Sequence, residues 1–149
     1  MNRNMKEQLE MIIQQLKELD GVYHRAVSHT GISENEFWIW YTLIALEGEY
    51  SQQDICTLWS LSKQTVNTIV SNMVQKNLAT LEVVPGTRNR KNIRLTESGK
   101  QYGEKMIMPV YDAERRAIVR LSPEELDACI VSLGKFISIL KEEIDDGEA

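Results

Sequence analysis

The tightest constraint on what this chain can fold into is a pair of helix-start signals placed almost back to back between Ser51 and Val66. Ser51 with Asp54 three residues later has the form of an N-cap and its box partner, opening a short helix that lasts to about Trp59. After only Trp59-Ser60-Leu61, the stretch Leu61-Ser62-Lys63-Gln64-Thr65-Val66 repeats the signal, with Ser62 as N-cap and Leu61 against Val66 as hydrophobic staple. The helix this opens carries Val66, Ile69, Val70, Met73 and Val74 on one face and Lys63, Gln64, Asn67, Thr68 and Ser71 on the other. It is predicted to end near Asn77, a residue that tolerates the left-handed conformation just past a helix. Ala79 to Val84 is rich in β-formers, Pro85-Gly86 is turn chemistry, and Asn92-Ile93-Arg94-Leu95 is a second extended run, so a hairpin follows directly. Two helices joined by a tight turn and followed by a hairpin predict a fold that is mainly α with a small β-hairpin wing, a winged helix-turn-helix.

Longer helices flank this unit. From Met5 to about Ser28, Leu9, Ile12, Ile13, Leu16, Leu19, Tyr23, Ala26 and Val27 recur at three-and-four spacing. Gly31 breaks that helix, and Ser33 and Glu36 form a capping box, with Ile32 against Phe37 as staple, for a second helix expected to reach about Glu47 before Gly48. Thr96 caps a long helix to about Arg120 in which Pro109 should introduce a kink. Ser122-Pro123-Glu124-Glu125 supplies cap, N1 proline and N3 glutamate for the last helix, whose apolar side holds Leu126, Ile130, Leu133, Phe136, Ile137, Leu140 and Ile144. The tail from Asp145 to Ala149 is expected to fray.

A chain of 149 residues with 42% apolar and 26% charged residues is ordinary for one globular domain. No apolar run approaches the roughly 20 residues of a membrane span, and Met1-Asn-Arg-Asn-Met-Lys-Glu does not have the form of a signal peptide, so a cytoplasmic location is expected. The net charge of −5 argues at first against a polyanionic partner. Its distribution reverses that argument: from Ser60 to Lys105 there are eight basic residues, Lys63, Lys76, Arg88, Arg90, Lys91, Arg94, Lys100 and Lys105, against Glu82, Glu97 and Glu104. An acidic body with one basic segment fits a DNA-binding module on a scaffold that does not itself bind.

The chemistry of that segment suits duplex DNA. Ser62, Lys63, Gln64, Thr65, Asn67 and Thr68 crowd hydrogen-bonding side chains into the first turns of a helix that fits a major groove; Gln and Asn match adenine, and Lys matches guanine or phosphate. Arg88, Arg90 and Lys91 at the hairpin tip suit phosphate or a narrow, electronegative minor groove. A solvated helix face or a charged loop has the same composition, and it is the ordered succession of both that points to DNA. A winged helix serving only protein contacts has no need of three basic residues at the tip. No nucleophile and base pairing, phosphate loop or carboxylate dyad is recognisable, so an enzyme is disfavoured.

With these residues in place, the sequence resembles the multiple-antibiotic-resistance regulator (MarR) family over nearly its whole length. The resemblance rests on Gly31-Ile32-Ser33, on Leu61-Ser62-Lys63-Gln64-Thr65-Val66-Asn67, and on Ile93-Arg94-Leu95-Thr96-Glu97-Ser98-Gly99 closing the wing. It implies one MarR-like domain over 1–149, with residues 33–100 as the winged lobe and 1–32 and 101–149 as dimerisation helices. Leu9, Ile12, Ile13, Leu16, Leu133, Phe136, Ile137 and Leu140 are then the expected dimer interface. It further implies a homodimer on a pseudopalindromic operator, acting as a repressor, and a pocket for a small aromatic or amphipathic effector, for which Tyr23, His24, Trp38, Tyr41 and Met106 are the candidates; they serve equally well as core aromatics. The family's wing tip carries an Asp-x-Arg element, and here Thr87 and Asn89 occupy those positions, with Arg88 and Arg90 flanking the expected arginine. Either arginine is a candidate for the groove.

No cofactor or metal is expected: His24 and His29, five apart, do not share a helix face. Cys56 and Cys129 lack any ligand spacing or a disulfide pattern. Cys56 stands where a small packed residue is expected and Cys129 off the main apolar stripe, which leaves a redox-responsive regulator as the alternative.

Overall fold

The computed structural model describes residues 4–147 and contains six helices and one hairpin among them. Each helix start follows from its cap. Asn4 Oδ1 accepts from Lys6 N at the head of α1 (Met5–Ser28). Ser33 Oγ accepts from Glu36 N at α2 (Glu34–Ala45), and Ser51 and Asp54 form a reciprocal box at α3 (Gln52–Trp59). Ser62 caps α4 (Lys63–Gln75). Thr96 Oγ1 accepts from Gly99 N at α5 (Glu97–Ile118), and Ser122 and Glu125 exchange hydrogen bonds at α6 (Pro123–Gly147).

Helix ends are equally local. Asn77 adopts φ 60° past α4, with its N–H on the Val74 carbonyl and the Leu78 N–H on that of Met73, a Schellman-type closure. α2 stops two residues short of the expected end: Leu46 is already extended, and Gly48 at φ 118° lies outside the left-handed helical region, so it turns the chain toward Tyr50 instead of closing a helix. α5 runs on through Pro109 as one helix. Asp145–Gly147 extend α6 where fraying is expected, and Glu148 and Ala149 lie outside the described residues.

β1 (Ala79–Val83) and β2 (Lys91–Leu95) pair antiparallel, Leu81 opposite Ile93. A bridge between Ser51 and Asn92 and a 2.8 Å bond from Ile93 N to the Tyr50 carbonyl add the segment before α3 to the hairpin's inner edge.

The chain divides into two compact units, Met1–Val110 and Tyr111–Ala149. The first holds the core: Val27 from α1, Phe37, Ile39, Trp40 and Tyr41 from α2, Ile55 from α3, Val66, Val70 and Met73 from α4, Ala79 and Ile93 from the strands, and Ile107 from α5. Of the face predicted for α4, Val74 alone is exposed. The second unit consists of the end of α5 and all of α6, none of whose residues is buried. No helix of the described residues is long and apolar enough to cross a membrane.

Candidate nucleic-acid interface

The turn between α3 and α4 is set by Ser60 at φ 53°, which closes α3, after which the Leu61 N–H reaches the Cys56 carbonyl at 3.2 Å. Burial of Val66, Val70 and Met73 then forces the opposite side of α4 outward. Its polar residues do different jobs. Ser62 Oγ accepts from Thr65 N at 3.1 Å and donates to Thr65 Oγ1 at 2.8 Å, so both hydroxyls serve the helix start. Thr68 Oγ1 donates to the Gln64 carbonyl at 2.9 Å. Lys63, Gln64 and Asn67 are exposed, and among the described residues their side chains make no hydrogen bond, which leaves these three available to a ligand.

The hairpin tip begins with a type II turn, Val84-Pro85-Gly86-Thr87, in which proline supplies the second position and Gly86, at φ 79°, the third. Thr87 Oγ1 adds a 2.7 Å bond to the Val84 carbonyl, and Val84 N donates to the Arg90 carbonyl at 2.9 Å to close the neck. Arg88 and Lys91 are exposed. Arg90 Nη2 donates to both carboxylate oxygens of Asp54, at 2.8 and 2.6 Å.

Two clusters neutralise part of the basic segment. Burial pushes the Asp54 carboxyl up, but hydrogen bonds from Ser51 and Arg90 outweigh it and hold the group below the usual carboxylate range. Arg94 donates through Nε to Glu82 at 2.8 Å and through Nη2 to Glu49, and these bonds raise its pKa further. Asn92, buried in the hairpin, donates to the same Glu49 at 3.1 Å. Beside the start of α3 lie two open clefts: one of about 260 Å³ bounded by Gln52, Gln53, Asn89, Arg90 and Lys91, and one of about 330 Å³ bounded by Gln52, Gln53, Cys56, Lys63 and Asn67. The sequence pattern did not single out Gln52 and Gln53, which lie on the surface between α4 and the wing.

No family profile matches the sequence, and no curated protein does. Solved structures do match along the full length. A MarR family regulator from Neisseria meningitidis aligns over 99% of both chains with a TM-score of 0.80 at 22% identity. The fold is that of the MarR family regulators. MepR of Staphylococcus aureus in its DNA-binding conformation matches over 93% of this chain and 99% of its own, TM-score 0.68, at 23% identity. BpsR of Bordetella bronchiseptica, whose DNA binding is regulated by 6-hydroxynicotinic acid, matches over 91% and 97%, TM-score 0.61, at 17% identity.

Within the MarR fold of this chain, three of the five residues expected around an effector come together. The Trp38 ring stands 5.2 Å from Tyr23 and 5.3 Å from Tyr41. Its closest ring partner is one the sequence pattern missed: Trp59, at the end of α3, stacks on Trp38 at 4.8 Å and 24°. Trp59 Nε1 donates to Thr42 Oγ1 at 2.6 Å, and Thr42 donates to the Trp38 carbonyl at 2.8 Å, so α2 and α3 are latched side by side. His24 is exposed on α1, and Met106 is half-buried on α5. Of the residues expected at a dimer interface, Leu16 and Phe136 are half-buried, while Leu9, Ile12, Ile13, Leu133, Ile137 and Leu140 are exposed. Cys56 is half-buried and Cys129 exposed, both as free thiols. Among the described residues no three His, Cys, Asp or Glu side chains gather as a metal group.

Proposed function

We propose that this protein is a homodimeric, sequence-specific DNA-binding regulator of repressor type, with α4 in the major groove and the wing on the flanking backbone or minor groove. The observation that carries this is the exposed face of Lys63, Gln64 and Asn67, unengaged at the start of the second helix of a helix-turn-helix and followed by the exposed wing residues Arg88 and Lys91, in a MarR fold. Ser62, Thr65 and Thr68 shape that face and add hydroxyls at its rim. Dimerisation through α1 and α6 would cover the apolar residues a single chain leaves exposed on each, Leu9, Ile12 and Ile13 on one and Leu133, Ile137 and Leu140 on the other. A pseudopalindromic operator follows from two-fold symmetry. The DNA-binding conformation of MepR and the ligand control of BpsR support a cytoplasmic regulator released by a small effector rather than an enzyme. The aromatic group of Tyr23, Trp38 and Tyr41 is the effector site in this reading.

A second reading, release by thiol oxidation, is favoured by one observation: Cys56 shares a cleft with Lys63, a cation beside the proposed DNA face. Incubating the purified protein with fragmented genomic DNA and sequencing what it retains tests the main reading. Recovery of a discrete inverted repeat is expected, and retention of fragments without sequence preference would reject it.

A further inference from the structure

We propose that the two wing arginines have separate tasks: Arg88 is the arginine that contacts DNA, and Arg90 is a positioning residue that fixes the hairpin to the start of α3 through Asp54. The proposal rests on the DNA-binding reading above for its first half and on contacts within the chain for its second.

Asp54 serves two elements at once. Its Oδ2 accepts the Ser51 N–H at 2.9 Å while the Ser51 hydroxyl accepts the Asp54 N–H at 3.2 Å, so the carboxylate is held in a capping box before the wing reaches it. Arg90 Nη2 then bridges both of its oxygens, joining residues 36 positions apart. This contact continues a seam already formed by the Ser51 and Asn92 bridge and the Ile93 to Tyr50 bond, and carries it to the neck of the hairpin, where Val84 N meets the Arg90 carbonyl. Only residues 85–89 lie beyond that neck. Arg88 sits among them, exposed and without an ion pair among the described residues.

The electrostatics of the two arginines differ accordingly. A phosphate that drew Arg90 away would leave the Asp54 carboxylate facing a polyanion with one cation fewer, so transfer of Arg90 is opposed twice, by the lost pair and by the new repulsion. Paired, Arg90 and Asp54 are together neutral and release no counterion from DNA. Arg88 gives up nothing on binding, and its full charge counts toward the salt dependence. An exposed ion pair contributes little to global stability, so the consequence of the Asp54 contact is where the tip points.

Two measurements separate the roles. The first follows binding of wild type, Arg88→Ala and Arg90→Ala to a labelled random-sequence duplex by anisotropy over a range of salt concentrations. Arg88→Ala should weaken binding and flatten the slope of log K against log salt by about one unit per lost phosphate contact, whereas Arg90→Ala should leave the slope at the wild-type value. The second follows amide hydrogen exchange of Val84 and Ile93 in the free protein. Arg90→Ala and Asp54→Asn should each speed exchange at Val84 several-fold, Arg88→Ala should not, and Ile93, anchored on Tyr50, should respond least. The proposal is overturned if Arg90→Ala flattens the slope as much as Arg88→Ala does, or if neither Arg90→Ala nor Asp54→Asn alters exchange at the neck. Failure of wild type to bind the duplex at any salt would instead reject the DNA-binding reading, while the exchange data would still decide the positioning role.

Discussion

Replacing Gly99 by alanine sets a favourable helix term against an unfavourable packing term, and the structure decides the winner. Gly99 sits in the first turn of α5, where the Thr96 N–H donates to the Leu78 carbonyl at 3.0 Å and Thr96 Oγ1 donates to the Asn77 carbonyl at 2.8 Å. A Cβ on residue 99 would lie 1.9 Å from the Leu78 oxygen and 2.9 Å from its carbon. Both are backbone atoms and the oxygen is already an acceptor, so relief requires α5 to lift off the segment joining α4 to β1 by more than an ångström. Overpacking of this kind costs about 1–3 kcal/mol, and a backbone obstacle puts it at the upper end. Alanine's advantage over glycine within a helix returns about 1 kcal/mol, leaving a net loss of about 2 kcal/mol. With a urea slope of about 2 kcal/mol/M for a chain of this size, the midpoint should fall by about 1 M. Both proteins must be compared at equal concentration, because the proposed dimerisation would couple stability to it. Gly21→Ala is the control: its Cβ meets only Arg25 Nη1 at 3.7 Å, an ordinary contact, so alanine there should stabilise α1. A Gly99→Ala midpoint at or above wild type would refute the reasoning.

Light scattering at micromolar concentration should give twice the 17.1 kDa chain mass, and a monomer would remove the reason offered for the uncovered apolar residues of α1 and α6. Replacing Cys56 and Cys129 together by serine should leave DNA binding and its indifference to peroxide unchanged; release of wild type but not of the double variant by peroxide would install the thiol reading instead. The folded state holds Asp54 below its ordinary range, so its contribution to stability is complete above about pH 4 and drains away as pH falls through the lowered value. Urea midpoints of Asp54→Asn should therefore trail wild type near neutral pH and converge with it in acid, and a constant gap across that range would contradict the assignment.

What was legible in the sequence was what neighbouring residues decide. The caps Ser33, Ser51, Ser62, Thr96 and Ser122, the left-handed Asn77 and the Pro85-Gly86 turn each act within a few positions, and each element starts or ends on them. Contacts between elements were not legible. In the sequence Asp54 fits a cap partner and Arg90 a contact to phosphate or the minor groove, and nothing in either local pattern says that they meet. By pattern Trp59 is simply the last residue of a short helix, and only the packing of α3 on α2 turns it against Trp38. His24 shares its helix with Tyr23, yet one residue along an α-helix is a turn of about 100°, enough to carry it into solvent. On α4 the pattern identified the polar face but not the division of labour on it, since whether a serine or threonine caps, back-bonds or stays available depends on hydrogen bonds that composition does not reveal.

The central claim is that the exposed start of α4 reads bases, and Gln64 and Asn67 test it because their amides can pair in two directions with an adenine edge. Titration of wild type, Gln64→Ala and Asn67→Ala on the recovered operator and on a scrambled duplex of the same length, at matched salt, isolates the sequence-specific part. The account predicts a loss of about 1–3 kcal/mol on the operator for each variant, with binding to the scrambled duplex nearly unchanged. Variants that hold the operator as tightly as wild type would contradict it.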